Sequence, residues 1–268
     1  EEEDNQEFTR RLASLGDVYI NDAFSASHRA HASIVGVPKL IPAYAGPFFE
    51  REVTELSRAF APERPFLLVL GGAKPETKMP LIDEFIDVAD SVFIGGAIAN
   101  IFFRELGYEI GRSIAGETPG NLKKIIDSGK LVLPGDVMVK NDDGVFAKTL
   151  QEISPDDMIL DAGPETMEKL EISVVKSRFI LWNGPLGDYT KPGFEKASIA
   201  LAEAIKRSDA RSIAGGGDTA ALLHEHNLMS AISFVSSAGG AMLEFLGKKT
   251  LPGIEALHKR YQSTNVYE

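Results

Sequence analysis

Short apolar runs that are followed closely by glycine recur along this chain, and they constrain its fold more than any other feature. Unbroken apolar runs of this length are typical of strands that are buried on both faces of a sheet. Between them, apolar residues recur at helical spacing, as at Leu81, Phe85 and Ala89. The runs span residues 65–70, 91–94, 158–160, 179–182, 211–214 and 232–235.

Strand, glycine loop and helix thus alternate, which is typical of consecutive βαβ units. We predict an α/β fold with a Rossmann-like parallel sheet, helices on both faces and right-handed crossovers. In such sheets, ligands bind outside the carboxyl ends of the strands, where the loops gather. The glycine loops therefore predict one binding crevice.

Composition excludes several classes of function. The 28 Lys and Arg residues against 39 Asp and Glu residues give a net charge of −11, which argues against a nucleic-acid or membrane-surface binder. The absence of Cys excludes disulfides, thiolate nucleophiles and Cys-zinc sites. No apolar run approaches the ~20 residues that span a bilayer, and no export signal is evident. We expect a cytoplasmic protein, most simply a monomer.

The loop at residues 71–78 is the first candidate for anion binding. Gly71 and Gly72 follow a predicted strand and allow backbone N–H groups to approach phosphate oxygens at the start of a helix. Lys74 and Lys78 lie four residues apart and share one side of the first helical turns. The loop does not match the Walker A pattern. A tight turn with two solvated lysines explains the same residues equally well.

The segment from Gly215 to Ala220 matches the G-x-G-x-x-A pattern of dinucleotide sites. Asp218 argues against that interpretation, because a carboxylate at the helix start repels a bare pyrophosphate. The next predicted strand also lacks the acidic residue that holds a ribose. A divalent cation between Asp218 and a phosphate, as in Mg²⁺ with ATP or ADP, fits better. The alternative is an ordinary helix N-cap.

Two further segments carry polar groups. Asn183 and Gly184 follow Trp182, the only Trp in the chain, and form a turn whose amide faces the crevice. A buried Trp beside a β-turn is the alternative. In the N-terminal part, Arg29 lies between His28 and His31. We favour Arg29 as an anion clamp over a His-based metal site, because no carboxylate cluster supports a metal.

Together these motifs resemble one family, the phosphoglycerate kinases. They occur in matching order over nearly the whole chain. The matching motifs are Asn-Asp-Ala-Phe and His-Arg-Ala-His (21–24, 28–31), Leu-Gly-Gly-Ala-Lys with a later Lys (70–74, 78), Ile-Gly-Gly (94–96), Asp161 with Gly-Pro-Glu-Thr (163–166), Trp-Asn-Gly-Pro (182–185), Gly-Gly-Gly-Asp-Thr (215–219), Gly-Gly-Ala (239–241) and Leu-Pro-Gly (251–253).

The resemblance implies two α/β domains and reversible phosphoryl transfer between 1,3-bisphosphoglycerate and ADP. It implies that Lys78 and Lys74, with the N–H groups of Gly216 and Gly217, act on the transferred phosphate. It implies that Asp218 holds Mg²⁺ and that Arg29 holds 3-phosphoglycerate. The implied ATP- and ADP-binding set is Gly72, Ala73, Lys74, Lys78, Gly95, Gly96, Asn183, Pro185, Thr190, Gly215, Gly216, Gly217, Asp218 and Thr219.

The resemblance also sets the expected domains. Residues 1–45 resemble the end of the 3-phosphoglycerate domain, 46–61 a hinge helix, 62–250 the nucleotide domain and 251–268 a tail. The chain begins with four acidic residues and no Met, so we expect it to be a piece of a longer enzyme. Because most of the family's basic substrate residues have no counterpart here, we expect little activity from the chain alone.

Local departures leave alternatives open. Thr190 stands where the family usually has the ribose-binding Glu, and Asp188 is a candidate to compensate. Ala97 and Ala238 replace glycines of two family triplets. A nucleotide-binding module without catalysis therefore remains an alternative, and a Rossmann dehydrogenase a more distant one.

Overall fold

A computed structural model describes the backbone of residues 1–264 and the side chains of residues 1–258. The chain separates into two compact units. The first unit contains Glu1–Ala61 and the C-terminal segment from Ala238 onward. The second unit contains Pro62–Ser237.

The strands and helices have the following bounds. The strands are β1 (Tyr19–Asn21), β2 (Ala43–Ala45), β3 (Phe66–Leu70), β4 (Ser91–Ile94), β5 (Leu131–Val132), β6 (Asp136–Asn141), β7 (Gly144–Thr149), β8 (Met158–Ala162), β9 (Phe179–Asn183), β10 (Arg211–Gly215) and β11 (Phe234–Val235). The α-helices are α1 (Gln6–Ala13), α2 (Pro47–Ser57), α3 (Pro75–Phe85), α4 (Gly96–Glu105), α5 (Leu122–Ile126), α6 (Pro164–Lys176), α7 (Lys196–Arg207), α8 (Gly217–Glu225), α9 (Gly240–Lys248) and α10 (Pro252–Thr264).

A parallel sheet forms the centre of the second unit, with the strand order β11-β10-β9-β3-β4-β5. Numbered along the chain within this sheet, the order is 6-5-4-1-2-3, the strand order of doubly wound dinucleotide-binding folds read from the other edge. The predicted α/β class is confirmed, and β3, β4, β9, β10 and β11 correspond to five of the six predicted strands. Every residue of β3 and β9 is buried, which explains their unbroken apolar sequences.

One predicted parallel strand is wrong. The apolar run at residues 158–160 lies in β8, which belongs to a separate antiparallel sheet in the order β7-β6-β8. The start of β8 is only half-buried and most of β7 is exposed, as antiparallel sheets tolerate. The hairpin between β6 and β7 turns at Asp142 and Asp143, and Asn141 pairs with Gly144 across the end of the ladder.

The first unit contains the parallel pair β1–β2 and an aromatic cluster. The ring of Phe245 in α9 packs at 5.8 Å from Phe24 and 5.5 Å from Phe60, and Phe24 also contacts Phe49. The helix expected within residues 46–61 is observed as α2 and a following 3₁₀ turn, Arg58–Phe60. We expected residues 62–250 to form one domain, but residues 238–250 belong to the first unit. The contacts of Phe245 with Phe24 and Phe60 explain this difference. None of the helices in the described part of the chain is long and apolar enough to cross a membrane.

Candidate functional site

The central strands β3 and β9 meet at the point where the strand order of the second unit reverses. The loops that follow them are joined by two backbone hydrogen bonds, from Gly71 N–H to the carbonyl of Asn183 (2.9 Å) and from Gly72 N–H to the carbonyl of Pro185 (2.8 Å). A Cβ atom on Gly71 would overlap the Pro185 carbonyl, so only glycine allows this approach. Ligands of doubly wound sheets bind at this reversal point.

Lys78 is the buried cation at this point. Its ammonium donates a hydrogen bond to Oδ1 of Asn183, and only 8% of the residue is exposed. Burial lowers the pKa of Lys78 to about 8, although the nearby Asp218 carboxylate acts in the opposite direction. Lys74, one turn earlier, is exposed and precedes the first residue of α3. The two lysines that looked equivalent in sequence therefore differ in environment.

The start of α8 contributes the third side of the site. Gly216 has a φ of 101°, a backbone conformation that favours glycine, and it precedes the helix. Thr219 is buried, and its hydroxyl accepts a hydrogen bond from Gly184 N–H at 2.8 Å. Asp218 accepts a hydrogen bond from the hydroxyl of Tyr189 at 3.0 Å. These contacts hold the start of α8, whose first N–H groups have no partner within the helix, beside the turn that carries Asn183.

A cleft of about 270 Å³ lies next to this cluster, within the second unit. One wall is formed by loop residues, and the other by apolar side chains of α4 and of the antiparallel sheet. Six predicted residues line the cleft: Gly72, Ala73, Gly96, Pro185, Thr190 and Asp218. The other predicted residues of this unit lie outside its lining: Lys74, Lys78, Gly95, Asn183, Gly215, Gly216, Gly217 and Thr219. Gly215 and Gly216 lie beside Asn183 instead.

Sequence reasoning missed the apolar wall. Among the lining residues that it did not single out are Asn100, Phe103, Ile114, Val137, Leu160 and Tyr189. Three of them lie on or beside the β6–β8 sheet, whose topology was predicted incorrectly. Asn100 did carry a signal, because it is a lone polar residue within the apolar sequence of α4, residues 98–103.

The mouth of the cleft carries a small polar cluster. The Thr190 hydroxyl donates a hydrogen bond to one oxygen of Asp188 at 2.6 Å, and the Lys191 ammonium contacts the other oxygen at 2.5 Å. Partial burial opposes ionisation, but the contacts with Lys191 and Thr190 prevail and lower the pKa of Asp188. Thr190 and Asp188, the two residues considered above for ribose binding, thus contact each other in the lining of the cleft.

Asp161 is a buried carboxyl group at the rim of the cleft. It is 3% exposed and accepts hydrogen bonds from the N–H groups of Ala197 (3.0 Å) and Ala162 (2.9 Å). Burial raises the pKa of Asp161 to about 7, although these two hydrogen bonds act against the shift.

This pKa predicts how stability depends on pH. Between about pH 4 and pH 7 the folded chain holds a proton on Asp161 that the unfolded chain releases. The free energy of unfolding should therefore fall as pH rises through this window, by up to about 1.4 kcal/mol per pH unit. Asp161→Asn should flatten the slope in urea unfolding, whereas Asp209→Asn, on an exposed residue, should leave it unchanged. Equal slopes for the parent and Asp161→Asn would contradict the assignment.

The predicted anion clamp lies in the other unit. Arg29 is exposed, and its Nε donates to Nε2 of His28 at 3.4 Å. Among the described residues, no group of three or more His, Asp or Glu side chains could hold a metal ion. A cation at Asp218 would thus need ligands from a bound phosphate, which is how Mg²⁺ commonly binds with nucleotides.

Known proteins are similar to this chain in sequence and in fold. The family model described as phosphoglycerate kinase matches residues 1–249. The phosphoglycerate kinase of Caulobacter vibrioides (strain NA1000 / CB15N) is 40% identical over 272 residues, which cover 96% of this chain and 69% of that protein. The phosphoglycerate kinase of Thermomicrobium roseum is also 40% identical, over 96% of this chain and 68% of its own length. The structure of phosphoglycerate kinase from Coxiella burnetii is 38% identical with a TM-score of 0.88, covering 97% of this chain and 70% of that one.

Proposed function

Since the chain belongs to the phosphoglycerate kinase family, we propose that it takes part in reversible phosphoryl transfer between 1,3-bisphosphoglycerate and MgADP. The products are 3-phosphoglycerate and MgATP, and the acceptor in the reverse direction is a carboxyl group. The reaction belongs to glycolysis. The observation that carries the proposal is the buried Lys78–Asn183 pair beside Asp218, at the reversal point of the sheet and next to an apolar cleft.

Phosphoryl transfer requires positioning and charge stabilisation more than covalent chemistry from the protein. We assign Lys78 to the terminal phosphate, because its ammonium is desolvated and therefore interacts strongly with an anion. The N–H groups at the start of α8, from Gly216 to Thr219, cradle phosphate oxygens. Lys74, being exposed, adds positive charge at the entrance to the site.

Mg²⁺ bound with the nucleotide supplies charge neutralisation at the phosphates. Asp218 is the residue proposed to hold it, directly or through water. Tyr189 fixes one oxygen of Asp218 by donating a hydrogen bond from its hydroxyl at 3.0 Å. The apolar cleft holds the base, and Thr190 with Asp188 holds the ribose at its mouth.

Arg29 is the residue proposed to bind 3-phosphoglycerate, because its planar guanidinium suits a phosphate or carboxylate group. About 31% of the Caulobacter relative has no counterpart in this chain, since the chain covers 69% of it. We therefore propose that these 268 residues, assayed alone, catalyse the reaction slowly.

Cytoplasmic location and a monomeric state, with no nucleic-acid or membrane partner, stay predictions. Neither a dehydrogenase nor a non-catalytic module is favoured by the family comparisons.

Nucleotide binding tests the proposal without depending on turnover. We expect calorimetry to detect MgADP binding to the 268-residue chain, with affinity that falls when Mg²⁺ is chelated. Asp218→Asn should weaken MgADP binding by about 10- to 100-fold, the value of a charge-assisted contact, and should remove most of the dependence on Mg²⁺.

Asp209→Asn is the matched control, because it removes the same charge from an exposed residue near the opposite end of β10. A folded chain that gives no heat with millimolar MgADP would contradict the proposed function. An unchanged Mg²⁺ dependence in Asp218→Asn would contradict the metal assignment alone.

A further inference from the structure

Asn100 is a buried amide in the wall of the cleft, and one of its polar atoms has no partner. The residue lies in α4 and is 1% exposed. Its Nδ2 donates a hydrogen bond to the carbonyl oxygen of Ile114 at 2.8 Å. Because a carbonyl can only accept, this bond identifies the nitrogen side of the amide. The Oδ1 atom is then a buried acceptor without a hydrogen-bond partner in the part of the chain that the structure describes.

The surroundings of Asn100 make that acceptor unusual. Both Asn100 and Ile114 line the cleft, together with the apolar side chains of Phe103, Val137 and Leu160. Buried acceptors are nearly always satisfied, because leaving one unpaired forfeits the hydrogen bond that water would have made. In cofactor and substrate sites, a few polar groups among apolar walls fix the orientation of the ligand. A ligand donor is therefore the natural partner for Oδ1.

We propose that Oδ1 of Asn100 accepts a hydrogen bond from the 6-amino group of an adenine base and so selects adenine over 6-oxopurines. This inference rests on the proposed function, which puts a nucleotide base in the cleft. Adenine carries a donor at C6, whereas guanine and hypoxanthine carry an acceptor there. A 6-oxopurine in the same pose would place two oxygens against each other and leave Oδ1 unpaired.

A site that pairs one buried group with one ligand group discriminates strongly against analogues that lack it. The probes are ADP, purine riboside 5′-diphosphate, which has hydrogen at C6, and inosine 5′-diphosphate, each with Mg²⁺. The parent chain should bind ADP about 10- to 100-fold more tightly than either analogue, the usual effect of one unsatisfied buried group. In Asn100→Leu, the three affinities should converge to within about threefold, chiefly because ADP binding weakens.

Phe103→Leu is the matched control, since it changes an apolar side chain one turn along the same helix. It should weaken ADP and both analogues by similar factors and keep the preference for ADP. If Asn100→Leu does not fold by circular dichroism, Asn100→Ala serves in its place.

The outcomes separate this inference from the proposed function. Equal affinities of the parent chain for ADP and purine riboside diphosphate would overturn the role of Asn100 while leaving nucleotide binding intact. A preference for ADP that persists in Asn100→Leu or Asn100→Ala would overturn it too. Failure of the folded parent to bind any of the three nucleotides would contradict the proposed function itself.

Discussion

Lys78→Met should lower the affinity of the chain for MgATP by about 10- to 100-fold. The substitution keeps most of the apolar stem, which is packed in the interior, and removes only the ammonium group. A charge-assisted hydrogen bond to phosphate is worth roughly 1.5–3 kcal/mol, and a buried cation cannot be replaced by solvent in the variant. Calorimetric titration with MgATP measures the change directly.

The pH dependence of the parent chain gives a second readout for Lys78. Phosphate binds the protonated amine, and burial lowers the pKa of Lys78 to about 8. The charged form therefore predominates below pH 8 and is lost as pH rises through that value. MgATP affinity should fall above about pH 8, and this fall should be absent in Lys78→Met.

The exposed Lys206, near the end of α7, supplies the control. Lys206→Met removes the same charge from the molecule and should leave both the affinity and its pH profile unchanged. If Lys78→Met binds MgATP as tightly as Lys206→Met does, Lys78 does not contact phosphate.

The parallel strands of the second unit could be predicted because burial on both faces leaves a continuous apolar sequence. The three residues at 158–160 gave the same pattern for a different reason. In β8 only one end is fully buried, and the strand pairs with β6 across an antiparallel register. An apolar run of three residues does not distinguish a strand in a parallel sheet from a strand in an antiparallel one. Here the neighbouring β6–β7 hairpin decides which sheet the strand joins.

The glycine loops of the candidate site could be predicted from the sequence because their backbone requires glycine. Gly71 and Gly216 are examples, one needed for a close approach and the other for its φ. The environment of the lysines was not accessible in this way. Whether Lys74 or Lys78 is buried depends on how α3 packs on the sheet, and spacing alone places both on one side of the helix.

The apolar wall of the cleft could be predicted least, since it combines residues from α4, the segment around Ile114 and the antiparallel sheet. These elements are distant in sequence and meet only after the sheet has formed. That Oδ1 of Asn100 is buried without a hydrogen-bond partner among the described residues follows from how these elements pack together. The position of Asn100 as a single polar residue among the apolar residues 98–103 is a sequence signal that was not used, and it does not identify a partner.

Gly71→Ala should reduce the free energy of unfolding of the second unit by about 3 kcal/mol and abolish nucleotide binding. The added methyl group would overlap the carbonyl of Pro185 and approach the carbonyl oxygen of Gly184 at 2.8 Å. Both obstacles are backbone atoms, so no side-chain rotation relieves them. Overpacking of this kind costs about 1–3 kcal/mol and more where the surroundings cannot move. The hydrogen bonds from Gly71 and Gly72 to the turn at residues 183–185 hold these surroundings in place.

Urea unfolding followed by tryptophan fluorescence suits this test. Trp182 is the only Trp, is fully buried, and donates its indole N–H to the carbonyl of Gly184 at 2.8 Å, so it reports on the affected turn. Gly120→Ala is the control, because a Cβ atom there meets nothing within 4 Å. It should change the free energy of unfolding by less than about 0.5 kcal/mol. If Gly71→Ala unfolds at the same urea concentration as Gly120→Ala, the two loops are not held as closely as the structure indicates. A loop that accepts a methyl group could also move relative to Lys78 and Asp218. The close contact between the two loops would then not fix the geometry of the site.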